Sequence, residues 1–326
     1  MRFIKTLLPF FISLSSSPIT KGQSSLADSL FHPDSLRYIV EVLASDSLQG
    51  RFTGTAENYK AALFIADEFR RAGLSHVAGN NGFLQEVKPL WHNVIGAIKG
   101  KSKPGQLIIF SAHYDHVGTD STNPFPNDQV ATGNDQIFNG ANDNASGVAA
   151  VIRLATYFKA HNNNERTLLF IAFTGEELGL LGSQVLANVF EPDSIVSLIN
   201  IEMIGRSEFK NPRPYFTGYE YSDLRRILNR NYQAFGDISE NEFFKEDPYF
   251  KSLLFIRSDN DPFALKGVPA HSIMLTSPAD KYYHHPDDEA RTLDYLKMKK
   301  IITGIAFGTV GLVKGNDTPA RIKKVY

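Results

Sequence analysis

Histidines and carboxylates follow successive apolar runs of this 326-residue chain. The clusters are His113-Tyr-Asp115-His116, Gly140-Ala-Asn-Asp143-Asn-Ala-Ser-Gly147, Gly175-Glu176-Glu177-Leu178-Gly179, Asn200-Ile-Glu202-Met203 and Tyr283-His284-His285-Pro286-Asp287-Asp288. Imidazole and carboxylate groups are ligands that a zinc-type ion takes, and a spare carboxylate beside them can serve as a base for water. Five such clusters in one chain indicate a metal site.

Each cluster taken singly also has an ordinary structural interpretation. A lone histidine at a strand end, such as His113, is more often a structural residue than a ligand. A Glu176-Glu177 pair is commonly a solvated helix start, and the segment 142–144 is a natural turn or helix cap. His285 is expected to lie beside the site or in solvent rather than to bind metal. The metal interpretation therefore depends on the ordered set of clusters.

Apolar patterning predicts the elements that position these clusters. Strands are predicted over 107–112, 167–173, 195–201 and 270–276, and helices over 58–72, 147–161, 180–189, 221–235 and 292–313, with a further helix that begins at Pro33. Continuous apolar strands that alternate with helices are typical of an α/β fold with a mostly parallel central sheet and helices on both faces. Ligands of such sheets bind beyond the carboxyl ends of the strands, where four of the clusters fall. The long loops 118–139 and 236–252 are expected to shape the site.

Composition excludes several other classes of protein. The formal net charge is −1, so no nucleic-acid partner is expected. The chain has no cysteine, which excludes disulfides, thiol catalysis and zinc sites built from thiolates. Hydrophobic residues make up 42% and charged residues 21%, as in a globular protein with a substantial core.

The amino-terminal residues have the pattern of a secretory signal peptide. The basic residues Arg2 and Lys5 precede a short apolar run that begins at Leu7, and the small residues 15–17 follow it. We expect a signal peptide over 1–24 and a metallopeptidase catalytic domain over 25–326, exported to the periplasm or secreted. The apolar run is too short to span a bilayer, so the mature protein is not expected to insert into a membrane. The alternative is a disordered or membrane-anchoring amino terminus.

Together the motifs resemble those of the co-catalytic dizinc aminopeptidases, the family of bacterial leucyl aminopeptidase, aminopeptidase Y and the peptidase domain of glutamate carboxypeptidase II. The resemblance runs from Leu48-Gln-Gly-Arg-Phe-Thr-Gly-Thr to the His284 cluster and implies the same fold. It implies two zinc ions per chain, bridged by Asp143. His113 and Glu202 would hold one ion, and Glu177 and His284 the other.

The resemblance also implies catalytic roles for two further carboxylates. Glu176 would be the general base that takes a proton from the attacking water and delivers it to the leaving amine. Asp115 would orient His113. The peptide bond between residues 143 and 144 is expected to be cis, as is often found in the family.

Two positions depart from the family pattern. Glu202 stands where the family commonly has aspartate, and its carboxylate is expected to bind metal on a stem one methylene longer. Asn260 stands where the family commonly has histidine, in a stretch that commonly reads Ser-Asp-His. A contact between that position and the substrate is therefore in question.

The sequence predicts an exported aminopeptidase that removes residues from peptides with a free amino terminus. One alternative is a glutaminyl cyclase-like enzyme of the same fold, with a single zinc ion. The other is a non-catalytic binding protein of the same fold. His113 and the pair Asp115-His116 fit a two-zinc peptidase better than the cyclase. Intact Glu176 and five candidate ligands argue against the non-catalytic protein.

Overall fold

A computed structural model describes residues 21–125, 135–207, 212–234 and 242–325. The predicted signal peptide lies outside these residues except for its last four positions, where the first helix begins. Parts of the two predicted long loops, 126–134 and 236–241, also lie outside them. Among the described residues, no helix has the length and apolar character needed to cross a membrane.

Within the described ranges, eight strands form one mixed sheet, and two short strands pair beside it. The ten strands are β1 Leu84–Lys88, β2 Trp91–Ile98, β3 Lys103–His113, β4 Gly118–Thr119, β5 Ile137–Phe138, β6 Arg166–Phe173, β7 Ile195–Glu202, β8 Tyr215–Phe216, β9 Lys245–Glu246 and β10 Ala270–Met274. The sheet order is β1-β2-β6-β3-β7-β10-β8-β9. The four central strands, β6, β3, β7 and β10, run parallel to one another. Strand β2 pairs with β6 and strand β8 with β10, both antiparallel.

Helices cover both faces of the sheet. In the described residues they are α1 Lys21–Leu30, α2 Pro33–Leu43, α3 Ala56–Arg71, α4 Ser146–His161, α5 Leu181–Ala187, α6 Leu224–Gln233, α7 Asp261–Ala264, α8 Tyr295–Gly308 and α9 Val310–Val313. Successive side chains of a strand point to opposite faces, so Ile108 and Phe110 of β3 join the apolar cluster that contains α2, α4 and α8. Leu107 and Ile109 join the opposite cluster, which contains α5 and α7.

The structure confirms the α/β fold with a mainly parallel sheet. The four predicted strands correspond to β3, β6, β7 and β10, and the six predicted helices to α2, α3, α4, α5, α6 and α8. The antiparallel edge formed by β1 and β2 was not predicted. In β2, Trp91–Ile98, a glycine and polar residues interrupt the apolar pattern that marks the central strands.

The parallel strands bring the clusters to one edge of the sheet. His113 is the last residue of β3 and is paired with Phe173, the last residue of β6. Glu202 is the last residue of β7 and is paired with Met274 of β10. Because the carboxyl ends of parallel strands meet at one edge, residues far apart in the chain become neighbours there.

Candidate metal centre

A cleft with about 680 Å³ of empty space opens at this edge of the sheet. Its floor carries the predicted site residues His113, Asp143, Glu176, Glu177 and Glu202. Its walls are mostly apolar and include Met203, Tyr215, Leu254, Met274, Pro278 and Tyr283. The cleft therefore combines a polar floor with an apolar wall, as small-ligand sites do.

The first set of donor atoms consists of His113, Asp143 and Glu202. His113 Nε2 lies 3.3 Å from Asp143 Oδ1 and 3.3 Å from Glu202 Oε1. Glu202 Oε2 accepts a hydrogen bond of 2.9 Å from the hydroxyl of Ser258, which holds the longer side chain in place. His113 Nδ1 faces the carbonyl oxygen of Asp115 at 3.2 Å, so we infer that Nδ1 carries the proton and Nε2 is free to bind metal.

The second set converges on the other oxygen of Asp143. His284 Nε2 lies 3.5 Å from Asp143 Oδ2 and 3.2 Å from Glu177 Oε2. The ring of His284 is stacked on Tyr283, with ring centres 3.9 Å apart. It also stacks on Phe125, which belongs to the described part of the long loop 118–139. Asp143 therefore turns one oxygen toward each histidine.

These separations fit a divalent metal ion. Neighbouring ligand atoms of a tetrahedral zinc ion lie about 3.3 Å apart, because its bonds to nitrogen and oxygen are about 2.0–2.1 Å long. The donor pairs around Asp143 lie 3.2–3.5 Å apart. All five predicted ligands are thus within reach of two adjacent ions, although their individual roles remain predictions.

Asp115 contacts a different group from the one expected. Its Oδ1 lies 3.8 Å from His113 Nδ1, beyond hydrogen-bond distance. The carboxylate instead accepts hydrogen bonds from Thr53 and from the backbone N–H groups of Glu176 and Glu177. Asp115 therefore fixes the main chain that carries the two glutamates, and it orients His113 through its carbonyl oxygen.

The two adjacent glutamates occupy opposite electrostatic environments. Burial raises the pKa of Glu176 well above its usual value, and nearby carboxylates, Glu177 first among them, add to this, although His113 opposes it. Burial and Asp143 also raise the pKa of Glu177, but His284 and His116 outweigh them and lower it to about 2. Glu177 is thus held as an anion among donors, whereas burial makes the carboxylate of Glu176 the more basic of the two.

Arg51 holds together main-chain segments that carry the site residues. The sequence does not predict this role. Its buried guanidinium donates to the carbonyl oxygens of four residues, at 2.5–2.8 Å: Leu43, Tyr114, Asn139 and Gly140. Burial lowers its pKa to about 10, so it stays charged at neutral pH. The sequence signal was the motif Gly50-Arg51, which carries no information about distant carbonyl groups.

Asp288 holds the backbone of the bridging residue. It accepts hydrogen bonds from the N–H groups of Asn142 and Asp143, and Arg206 pairs with it at 2.9 Å. The peptide bond between Asp143 and Asn144 is cis, as the family resemblance implied.

Asn260 does not face the cleft. Its side chain is buried, donates to the carbonyl of Phe255 and accepts from Ser272. Asn260 therefore joins the segment that contains Phe255 to strand β10. Tyr215 and Tyr283 both line the cleft. The ring of Tyr283 stacks on His284, whereas Tyr215 donates its hydroxyl proton to the carbonyl of Thr276.

The family of this chain is shown by a family model that matches most of the sheet and the site. A model described as peptidase family M28 matches residues 93–307. The chain belongs to this family. The resemblance found in the sequence is thereby confirmed, and the predicted enzyme class, peptide hydrolase, is that of the M28 family.

Curated relatives of this M28 chain include fungal and bacterial proteins. A probable zinc metalloprotease of Pyrenophora teres f. teres is 37% identical over 117 residues, which are 35% of this chain and 23% of the relative. Aminopeptidase YwaD of Bacillus subtilis is 26% identical over 243 residues, which are 71% of this chain and 47% of the relative. The chain thus spans about a quarter to a half of the length of these relatives.

Solved structures share the fold. A zinc aminopeptidase from Bacillus subtilis superposes with a TM-score of 0.67 at 17% identity, covering 87% of this chain and 95% of the other. A glutaminyl cyclase from Porphyromonas gingivalis superposes with a TM-score of 0.64 at 17% identity, covering 87% and 99%. The fold alone therefore does not distinguish a peptidase from a cyclase.

Proposed function

We propose that this protein is a zinc-dependent aminopeptidase that binds two zinc ions and hydrolyses amino-terminal residues from peptides. One observation carries the proposal. Asp143 turns Oδ1 toward His113 and Oδ2 toward His284, so that a single carboxylate joins two sets of donors. Two cations held close together need an anionic bridge to offset their repulsion, and a carboxylate supplies one.

The residues of the chain divide into ligands and reacting groups. His113 and Glu202 would hold one ion, Glu177 and His284 the other, and Asp143 both. When bound, the ions would acidify a water molecule, polarise the scissile carbonyl and accept the α-amino group of the substrate. These residue roles are consistent with the donor separations of 3.2–3.5 Å.

Glu176 is the proposed general base. It lies on the cleft floor, and its raised pKa favours holding a proton between steps. It takes a proton from the attacking water and delivers it to the leaving amine. The Tyr283 hydroxyl lines the same cleft, and burial raises its pKa, so it stays protonated and can donate a hydrogen bond to the substrate oxygen.

The apolar wall supports an apolar side chain at the amino-terminal residue of the substrate. Met203, Leu254 and Met274 offer apolar surface beside the metal centre. Arg257 lies at the same cleft and donates to the Tyr283 hydroxyl at 3.4 Å. The proposed substrate is therefore a peptide with a free amino terminus and an apolar first residue.

A paired substitution tests the proposal. Glu176→Gln keeps the shape of the side chain but removes the proton acceptor, so turnover of leucyl-p-nitroanilide is expected to fall about 10²–10⁴-fold with zinc retained. Glu177→Gln loses its charge beside His116 and His284 and is expected to lose zinc from one site. The assignment is reversed if Glu176→Gln loses zinc while Glu177→Gln keeps both zinc and rate.

The substrate assay also separates the peptidase from the cyclase. A cyclase converts a glutaminyl peptide into a pyroglutamyl peptide and ammonia, without cleaving a peptide bond. Release of ammonia from a glutaminyl peptide, no release of p-nitroaniline, and one tightly bound zinc per chain would reject the aminopeptidase in favour of the cyclase.

We propose further that the protein is exported. The support is the basic and apolar pattern of residues 1–24. The mature protein is expected to begin between about residues 15 and 25, consistent with a short apolar region followed by small polar residues. Intact-mass measurement of the secreted protein tests this, and a cytoplasmic product that retains residues 1–14 contradicts it.

A further inference from the structure

His116 lies at the metal centre although the ligand set proposed above leaves it without a role. It follows Asp115 directly and its side chain is completely buried. Its Nδ1 lies 3.0 Å from Glu177 Oε1 and 3.8 Å from Asp143 Oδ2. These are the two carboxylates that His284 also contacts.

The two histidines approach the same pair of carboxylates from different sides. Their ring centres are 5.6 Å apart and the rings are inclined at 75°. His284 Nε2 faces Glu177 Oε2, whereas His116 Nδ1 faces Glu177 Oε1, and both nitrogens face Asp143 Oδ2. Ligand atoms of His116, Asp143 and Glu177 all lie within 4.8 Å of one another. The 3.0 Å between His116 Nδ1 and Glu177 Oε1 is close to the spacing of about 3.3 Å between neighbouring donors of one zinc ion.

The surroundings of the ring fix Nδ1 in this direction. Gly140, at φ 57°, leaves room for the ring, because a Cβ there would lie 2.5 Å from His116 Cγ. His116 Nε2 is buried and finds no hydrogen-bond partner among the described residues. All polar contacts of the imidazole are therefore made by Nδ1, and burial of such a group needs a strong interaction there.

We propose that His116 Nδ1 is a further ligand of the ion held by Asp143, Glu177 and His284. This inference rests on the proposed two-zinc function. The ion would have four protein residues as ligands, whereas the ion at His113 would have three. In addition, Glu202 Oε2 is engaged by Ser258, which leaves Glu202 one oxygen for metal. The site with His116 is therefore the tighter of the two.

Two substitutions of the same shape separate a ligand from a hydrogen-bond donor. His116→Asn places an amide near the position of Nδ1, which can donate to Glu177 but is a poor zinc ligand. His116→Asp places a carboxylate there, which binds zinc but cannot donate when ionised. If His116 is a metal ligand, His116→Asp will bind zinc more tightly than His116→Asn.

The measurement is competition between the full-length protein and a chelator for Zn²⁺. His116→Asn is expected to weaken one of two zinc affinities by about 100-fold or more, because losing even an outer partner of a ligand typically costs 10–100-fold. His116→Asp is expected to stay within about 10-fold of the wild-type affinity. His285→Asn is the control, since His285 is partly exposed and its Nδ1 contacts the backbone N–H and the carboxylate of Asp287, at 3.0 Å and 3.7 Å.

Equal affinities in the two variants, or tighter binding by His116→Asn, would overturn the inference and leave His116 as a hydrogen-bond donor to Glu177. Wild-type protein that binds fewer than two zinc ions would instead reject the proposed function. If the variants fail to fold, a crystal structure of the zinc-loaded wild type decides. A distance of about 2.0–2.1 Å between Nδ1 and zinc is expected, and a distance above about 3 Å refutes the inference.

Discussion

Arg51→Lys is the substitution whose effect follows most directly from the structure. The guanidinium donates at 2.5–2.8 Å to carbonyl oxygens of four residues, Leu43, Tyr114, Asn139 and Gly140, and a fifth, longer contact of 3.5 Å reaches the carbonyl of Asp143. Tyr114 sits between His113 and Asp115, and Gly140 lies three residues before Asp143. Arg51 thus joins the ends of segments that carry ligands, and lysine keeps the charge but not the planar set of five donors.

The expected loss can be worked out from these contacts. The lysine side chain is shorter and ends in a single ammonium nitrogen, which can keep about two of the four short hydrogen bonds. Hydrogen bonds to charged groups contribute about 1.5–3 kcal/mol each, so losing two lowers the free energy of unfolding by about 3–6 kcal/mol. That is a large part of the total stability of about 5–15 kcal/mol for a typical protein.

Urea unfolding of wild type and Arg51→Lys measures the loss, and zinc titration measures its effect on the site. Arg291→Lys is the control, because Arg291 is largely exposed. We expect a large drop in stability and weaker zinc binding for Arg51→Lys only. A loss below about 1 kcal/mol, with unchanged zinc affinity, would show that the carbonyl groups do not need the guanidinium.

Further predictions concern the ligands, the buried carboxylate behind them and a histidine of the core. Glu202→Ala should weaken the binding of one zinc ion, and Glu202→Asp should retain much of the turnover. Zinc content and peptide hydrolysis measure these effects, and two tightly bound zinc ions in the alanine variant would contradict the prediction. Asp288→Asn removes the charge that accepts from Arg206 and from the N–H of Asp143, while Arg206 keeps its pair with Asp280, so the protein should be destabilised by about 1–3 kcal/mol in urea unfolding. Burial lowers the pKa of His271 to about 4, despite the carbonyl that Nδ1 contacts. Since only the unfolded chain binds this proton between about pH 6.5 and 4, stability should fall by about 3 kcal/mol as pH falls through that range, and His271→Asn should remove this contribution.

The sequence by itself determined the fold class and the residues from which the site is built. A parallel strand buried on both faces shows as a continuous apolar run, and its last residue is fixed by where that run ends. His113 and Glu202 are such residues, at the ends of β3 and β7. Because one edge of the sheet collects these ends, strand boundaries and residue types together were enough to predict the cluster.

Only the tertiary structure decided how the side chains of the cluster pair. His116 looked like part of a motif, and its distance to Glu177, 61 residues away in sequence, depends on how β3 and β6 pair and on the space beside Gly140. Arg51 contacts carbonyl groups up to 89 residues away, and main-chain carbonyls leave no mark in the pattern of side chains. Local patterns record which face or strand end a residue occupies. The relative placement of distant segments results from packing of the whole sheet and its helices, so it could not be read from any one stretch of the chain.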